Sequence, residues 1–386
     1  MRKVALFLLS LILLSSAVIP QTQKGVSAGQ EQELAAYLKS HWKSPEDYVV
    51  EKFSKYDIVF IGEIHRVKHD VELIHDLIPR LYKAGVYNLG IEFGRYEDQD
   101  KVDRLITAAQ YDEDMARWLQ FKNFVGWGYK EYEDIYRKAW ELNKSLPKGA
   151  PKFRVVALGY QVDWTQLQEN MTDAQWKKVW FNGEPDKQMA EVILKEFVEK
   201  GKKALIYSGT HHAFTRYRQP NYDYQNKKFI GFRELRMGNI IYAKIPTKVF
   251  NIFLHSPWSA REDPQTGDYP IGGVIDRVMR AFKTKRVGFD VVGTPFGSLR
   301  EDRSYYSAGY PDFTLSTFCD GYIFQKQFKD YEGVTVDETF ITEGNLQEAI
   351  KNLPNFEARK YIRKPEDMIN NIRRDADFKL KFRTLE

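Results

Sequence analysis

The chain has one cysteine, Cys319, in 386 residues, so no internal disulfide can form and stability must come from the core. It has no Gly-x-Ser-x-Gly nucleophile elbow, and Cys319 carries no local catalytic signature, which disfavours nucleophilic catalysis. The turn-rich run Gly293–Ser298 lacks the Gly-Lys-Ser/Thr signature of a phosphate loop. Charge of one sign is also scarce, with 58 Lys and Arg against 53 Asp and Glu, a formal net charge of +5. That balance, spread along the chain, argues against a nucleic-acid partner, and the cluster Lys283, Lys285, Arg286 reads as a solvated loop or strand start. Internal repeats, heptads and low-complexity blocks are absent as well.

The apolar run Val4–Leu14 is shorter than the roughly 20 residues that span a bilayer. Arg2 and Lys3 precede it, and Ser15, Ser16 and Ala17 follow, which predicts a secretory signal peptide over residues 1–17. The protein is therefore expected to be exported, periplasmic or secreted, with no stable membrane span after cleavage. Residues 18–31 are polar and read as a flexible linker, and residues 32–386 as a single α/β domain.

Within that domain, apolar runs closed by glycine or an acid predict strands at Asp57–Ile61, Val86–Phe93, Phe153–Leu158, Lys203–Tyr207, Asn239–Ile245, Val249–Leu254, Arg286–Val292 and Gly321–Phe324. A helix is expected over Gln32–His41. Another carries Val71, Ile74, Ile78 and Leu81 at helical spacing, with a kink at Pro79 and a stop at Gly85. Met171–Gly201 and the charged stretch Asn345–Arg374 also read as helical. The expected fold is a mostly parallel central sheet flanked by helices. Residues 95–150 form a helical insertion covering the C-terminal edge of the strands.

That edge is where parallel sheets build their sites, and the sequence places chemistry there. Glu63 and His65 are two apart, so an extended backbone points both to one side. Glu92 ends the apolar run Leu89–Ile91, where an unpartnered carboxylate is costly. His211 and His212 follow the Lys203–Tyr207 strand, and adjacent residues at a turn rarely point the same way, so one is expected in the cleft. His69, four residues after His65, gives only a weak helical metal signal, and His75 falls on a polar helix face. Arg66, Arg95, Arg216 and Arg218 accompany these turns and would suit a carboxylate or phosphate on a ligand, or would neutralise the nearby acids. The aromatics crowded between Tyr207 and Tyr242 fit core and strand faces, with a ligand wall as the alternative.

Gly62-Glu63-Ile64-His65, then Gly90-Ile91-Glu92, then Gly209-Thr210-His211-His212, resembles the superfamily of erythromycin esterases, ChaN-like haem-binding proteins and Tiki-type proteases. Asp320–Phe324 resembles the last strand common in that group. The resemblance spans roughly Tyr56–Gly94 and Ala204–Tyr217. It implies an exported hydrolase that activates water at Glu63, His65, Glu92 and His212 and acts on an ester, amide or peptide bond of a small-molecule or peptide substrate. Likeness to the Tiki branch would make those four residues ligands of a divalent metal. Likeness to the esterases would make His65 a general base, although Gly-Glu-x-His is one residue shorter here than their Gly-Glu-x-x-His. Likeness to ChaN would imply binding of haem or iron in the cell envelope. Arg66, Arg95, His211 and Arg216 are the expected substrate contacts.

Overall fold

The computed structural model describes residues 26–159, 162–180, 184–263, 267–282, 286–383 and 385. The expected signal peptide, the first part of the linker, and Lys283 and Lys285 lie outside the described residues. The chain turns helical earlier than expected, at α1, Ala28–His41, because Ser27 and Gln30 close a capping box that satisfies two otherwise unpaired N–H groups. A second helix, α2, Pro45–Lys52, starts under the Ser44 cap.

Strands β1, Ile58–Glu63, β2, Asn88–Arg95, β3, Arg154–Gly159, and β4, Ala204–Gly209, form one half of the sheet. A small hairpin follows, of β5, Pro220–Asp223, and β6, Lys228–Phe232. After it come β7, Val249–Leu254, the short pair β8, Trp258–Ser259, and β9, Gly267–Asp268, then β10, Val287–Asp290, and β11, Gly321–Phe324. The central sheet runs β10-β11-β7-β1-β4-β2-β3, and its neighbours are parallel except for β10 against β11. β4 is thus inserted between β1 and β2, and Glu63 stands level with Gly209.

Two apolar layers cover the sheet, and strand alternation deals residues to each. Val59, Ile61, Leu89, Ile91, Leu205 and Tyr207 enter one layer; Ile58, Phe60, Val156, Ala204 and Ile206 enter the other. The first layer is closed by α2 and α3, Lys68–Lys83, with α4, Gln99–Thr107, α5, Glu113–Asn123, and α6, Lys130–Ser145. α3 continues through Pro79 as one element. The second layer is closed by α1, by α8, Pro185–Ile193, which follows α7, Asp173–Val179, and by α9, Met237–Lys244.

The expected strand Asn239–Ile245 is α9 instead. A short apolar run does not distinguish strand from helix. Here Asn239 decides it, accepting from the Arg236 N–H at 2.9 Å and donating to the carbonyls of Thr215 and Tyr217. Within the expected insertion, α4 and α6 pack on the first layer, while the segment joining α5 to α6 delivers Trp127 and the first turn of α6 delivers Tyr132 to the strand ends. No helix among the described residues is long and apolar enough to cross a membrane.

Candidate functional site

The alternation that fills the two layers also divides the site. Glu63 shares the parity of Val59 and Ile61, so it turns toward the layer holding Tyr207 and Tyr132. Glu92 has the opposite parity to Ile91 and Phe93 and turns the other way, toward α8. The two carboxylates, expected to act as one set, sit in separate hydrogen-bond networks.

Glu63 is fully buried, and three groups hold it. Tyr132 donates its hydroxyl to Oε1 at 2.6 Å, Tyr207 donates to Oε2, and His65 Nδ1 lies 2.8 Å from Oε1. Against a carboxylate that already receives two hydroxyl donors, Nδ1 is the nitrogen that donates, and Nε2 is the one turned away from Glu63. His65 is about one-third exposed, its ring meets Phe93 and Trp127 edge-on, and Nε2 has no partner among the described residues. The imidazole passes directly over Gly209, where an added Cβ would lie 2.7 Å from Cε1. Glycine is needed at 209 for that close approach.

His212 is held at both nitrogens. Nδ1 is 2.6 Å from Asp186 and Nε2 3.4 Å from Glu92. Burial alone would lower its pKa, but the Glu92 charge and the Asp186 hydrogen bond overcome this and raise it to about 10. Burial would likewise raise Glu92; the His212 charge and hydrogen bond, the His65 charge and the Gly209 N–H at 2.7 Å bring it to about 2. Asp186 is held below its ordinary value against burial by His212, Arg236 and the Met237 N–H. At neutral pH this row is carboxylate, imidazolium, carboxylate. His211 is pushed the other way, to about 3, by burial and by the charges of Arg236 and His212, and it faces the Tyr306 hydroxyl at 3.3 Å.

Glu63, His65, Arg66, Gly209, His211 and His212 share a cleft of about 820 Å³ with Ser256, Tyr306 and the segment Leu380–Arg383. Arg66 is a non-glycine residue with φ of 73°, a strained conformation of the kind held at functional sites. Its guanidinium lies 4.6 Å from the Trp127 ring and 5.6 Å from that of Tyr129.

Two expected substrate contacts are engaged elsewhere. Arg95 pairs with Glu97 and Asp98, and Arg216 with Asp320, as neutralising partners of nearby acids. Arg218 donates to the Arg233 carbonyl. His75, read as solvated, is half-buried and lies 2.7 Å from the Glu131 carbonyl.

The four-residue metal set does not fit a cation: both oxygens of Glu63 and both nitrogens of His212 are already bonded. No group of three or more His, Cys, Asp or Glu among the described residues is arranged to hold a metal ion. Asp186, Tyr132 and Trp127 went unnoticed in the sequence, where Tyr207 reads as a strand end in an aromatic stretch and not as a partner of Glu63. Its place directly before the Ser208–His212 turn could have marked that role. Asp186, after Pro185 at a helix start, is indistinguishable from an ordinary first-turn acid.

A family model described as "Haem-binding uptake, Tiki superfamily, ChaN" matches residues 49–167, which hold β1, β2 and β3. The chain thus resembles that superfamily over the half of the site where the first motif lies. No curated protein matches the sequence. Among solved structures, a succinoglycan biosynthesis protein superposes with a TM-score of 0.53 at 9% identity, over 78% of this chain and 98% of its own. An erythromycin esterase in an open conformation gives 0.47 at 11% identity, over 72% of this chain and 91% of its own. ChaN of Campylobacter jejuni, described with cofacial haem binding, gives 0.35 at 13% identity, over 57% and 90%. At these identities the likeness is one of fold.

Proposed function

We propose that this chain is a hydrolase of ester, amide or peptide bonds in which His65 is the general base on water. The observation that carries this is the His65 imidazole, with Nδ1 on buried Glu63 and Nε2 open to the cleft and without a partner among the described residues. As the water oxygen adds to the substrate carbonyl carbon, its proton passes to Nε2. Glu63 receives the Nδ1–H throughout and stabilises the imidazolium, while Tyr132 and Tyr207 fix the carboxylate. Glu92 remains ionised, and its negative charge further favours that imidazolium. The protonated His65 then returns its proton to the leaving alcohol or amine. No step is assigned to a divalent metal, because the donors that would hold it are committed to one another. The basic and apolar N-terminal run supports export, to the periplasm or beyond the cell.

A second reading is binding of haem, favoured by the same residue. An imidazole anchored by a carboxylate at Nδ1 and open at Nε2 is also how proteins present an iron ligand. The cleft walls fit a porphyrin less well, since Ile64, Pro257, Leu380 and Phe382 are apolar but most of the lining is polar or charged. One experiment separates the readings. Purified protein is assayed on 4-nitrophenyl esters and titrated with haem, alongside His65→Ala. Hydrolysis abolished by the substitution, with no Soret shift, supports the hydrolase. A Soret shift lost in His65→Ala, without hydrolysis in the parent, overturns it in favour of haem.

A further inference from the structure

The wall of the cleft facing His65 comes from a part of the chain remote from both histidine motifs. Helix Phe378–Lys381 is anchored through Phe378 and Leu385, which pack with Val67, Phe328 and Tyr331 in a small apolar cluster of their own. Tyr269 donates its hydroxyl to the Leu385 carbonyl at 3.0 Å. This anchoring sets Lys381 and Arg383 at the cleft alongside Arg66. Val67, in the same apolar cluster, directly follows Arg66, so one packing event positions both sides of the group.

Three cations therefore line one cleft, and none forms an ion pair with a carboxylate among the described residues. Arg95, Arg216 and Arg236, by contrast, are each matched with an acid. The Arg66 guanidinium rests on Trp127 and Tyr129, and its buried Nε has no hydrogen-bond partner among the described residues. Burial and the Arg66 charge lower the Lys381 pKa, the mark of two like charges held together. Two acids share the lining: Glu63, committed to His65 and two tyrosines, and Asp263.

We infer that Arg66, Lys381 and Arg383 form an anion subsite, and that the substrate carries a carboxylate or phosphate group beside the bond that is cut. The inference rests on the hydrolase reading for what happens next to the subsite, but anion binding itself does not depend on turnover. A planar guanidinium fork and a flexible ammonium are complementary to such oxyanions, and stacking on Trp127 fixes the fork before the ligand arrives.

The test uses the full chain and two probes, glutarate and inorganic phosphate, followed by calorimetry and by tryptophan fluorescence, since Trp127 lies under Arg66. At least one anion is expected to bind at a single site, with affinity falling as salt is raised. Lys381→Gln and Arg383→Gln should each weaken that binding by about tenfold. Tighter glutarate binding would identify a carboxylate, tighter phosphate binding a phosphoryl group. His65→Ala should keep anion binding while losing ester hydrolysis. Unchanged affinity in both subsite variants, or no binding of either anion, overturns the subsite. Retained hydrolysis in His65→Ala overturns the hydrolase reading and leaves the subsite result standing.

Discussion

The two Gly-x-x-His turns are alike in sequence and opposite in state. The first, ending in His65, leaves its imidazole partly exposed, held at one nitrogen and open at the other. The second, ending in His212, holds its imidazole between two carboxylates, with its pKa raised to about 10. The number of acids in reach makes the difference: one carboxylate orients an imidazole, whereas two keep it charged and occupied. One motif thus leaves an imidazole nitrogen open to the cleft, while the other supplies a fixed cation that keeps Glu92 ionised beside it.

The contrast breaks most sharply at His65. His65→Ala should lower kcat/KM for an ester substrate by about 10²–10⁴-fold, with an unchanged circular dichroism spectrum. Activity within a few-fold of the parent would show that the open imidazole is not the base.

The second motif should show itself in the dependence of stability on pH. His212 has a folded pKa of about 10 against an ordinary value of 6.5, so its stabilisation is fully present below about 6.5 and is lost as pH rises toward 10. Glu92, at about 2 against 4.5, stabilises above 4.5 and loses that contribution as pH falls toward 2. Melting temperature should therefore decline from pH 6.5 to 10, and His212→Gln should flatten that decline. A parent and variant with parallel alkaline limbs would contradict the carboxylate, imidazolium, carboxylate row.

Tyr207→Phe removes one donor from buried Glu63 and should cost about 1–3 kcal/mol in urea unfolding, with a smaller loss of activity than His65→Ala. The smallest effect is expected at Arg95, which is paired with Glu97 and Asp98. Arg95→Gln should leave KM within about twofold, because the side chain is committed to those acids. A large rise in KM would return Arg95 to the site.

Much of this site could be read from local pattern. Glu63 closes an apolar run that reads as a buried strand, with His65 two residues on, Glu92 follows a second such run, and Gly209 to His212 follow a third. Sequence reasoning fell short where the decisive fact was an encounter between distant segments. Asp186 meets His212 only because α8 packs on the same face as the turn after β4. Lys381 reaches the cleft only because Phe378 and Leu385 find a pocket near Val67. The same limit turned Asn239–Ile245 from strand to helix, since the carbonyls that hold Asn239 belong to Thr215 and Tyr217.

The placement of β4 between β1 and β2 bears on the order in which the molecule can assemble. β1 and β2 are complete by residue 95, yet they are not hydrogen-bonded neighbours, and the strand between them ends at residue 209. A nascent chain shorter than that lacks the strand that both β1 and β2 pair with, and Glu92 has neither the Gly209 N–H nor His212. Pairing β1 and β2 through β4 joins segments more than a hundred residues apart, a loop-closure demand that slows strand pairing. The same delay leaves the Glu92, His212 and Asp186 row incomplete until the turn after β4 has formed.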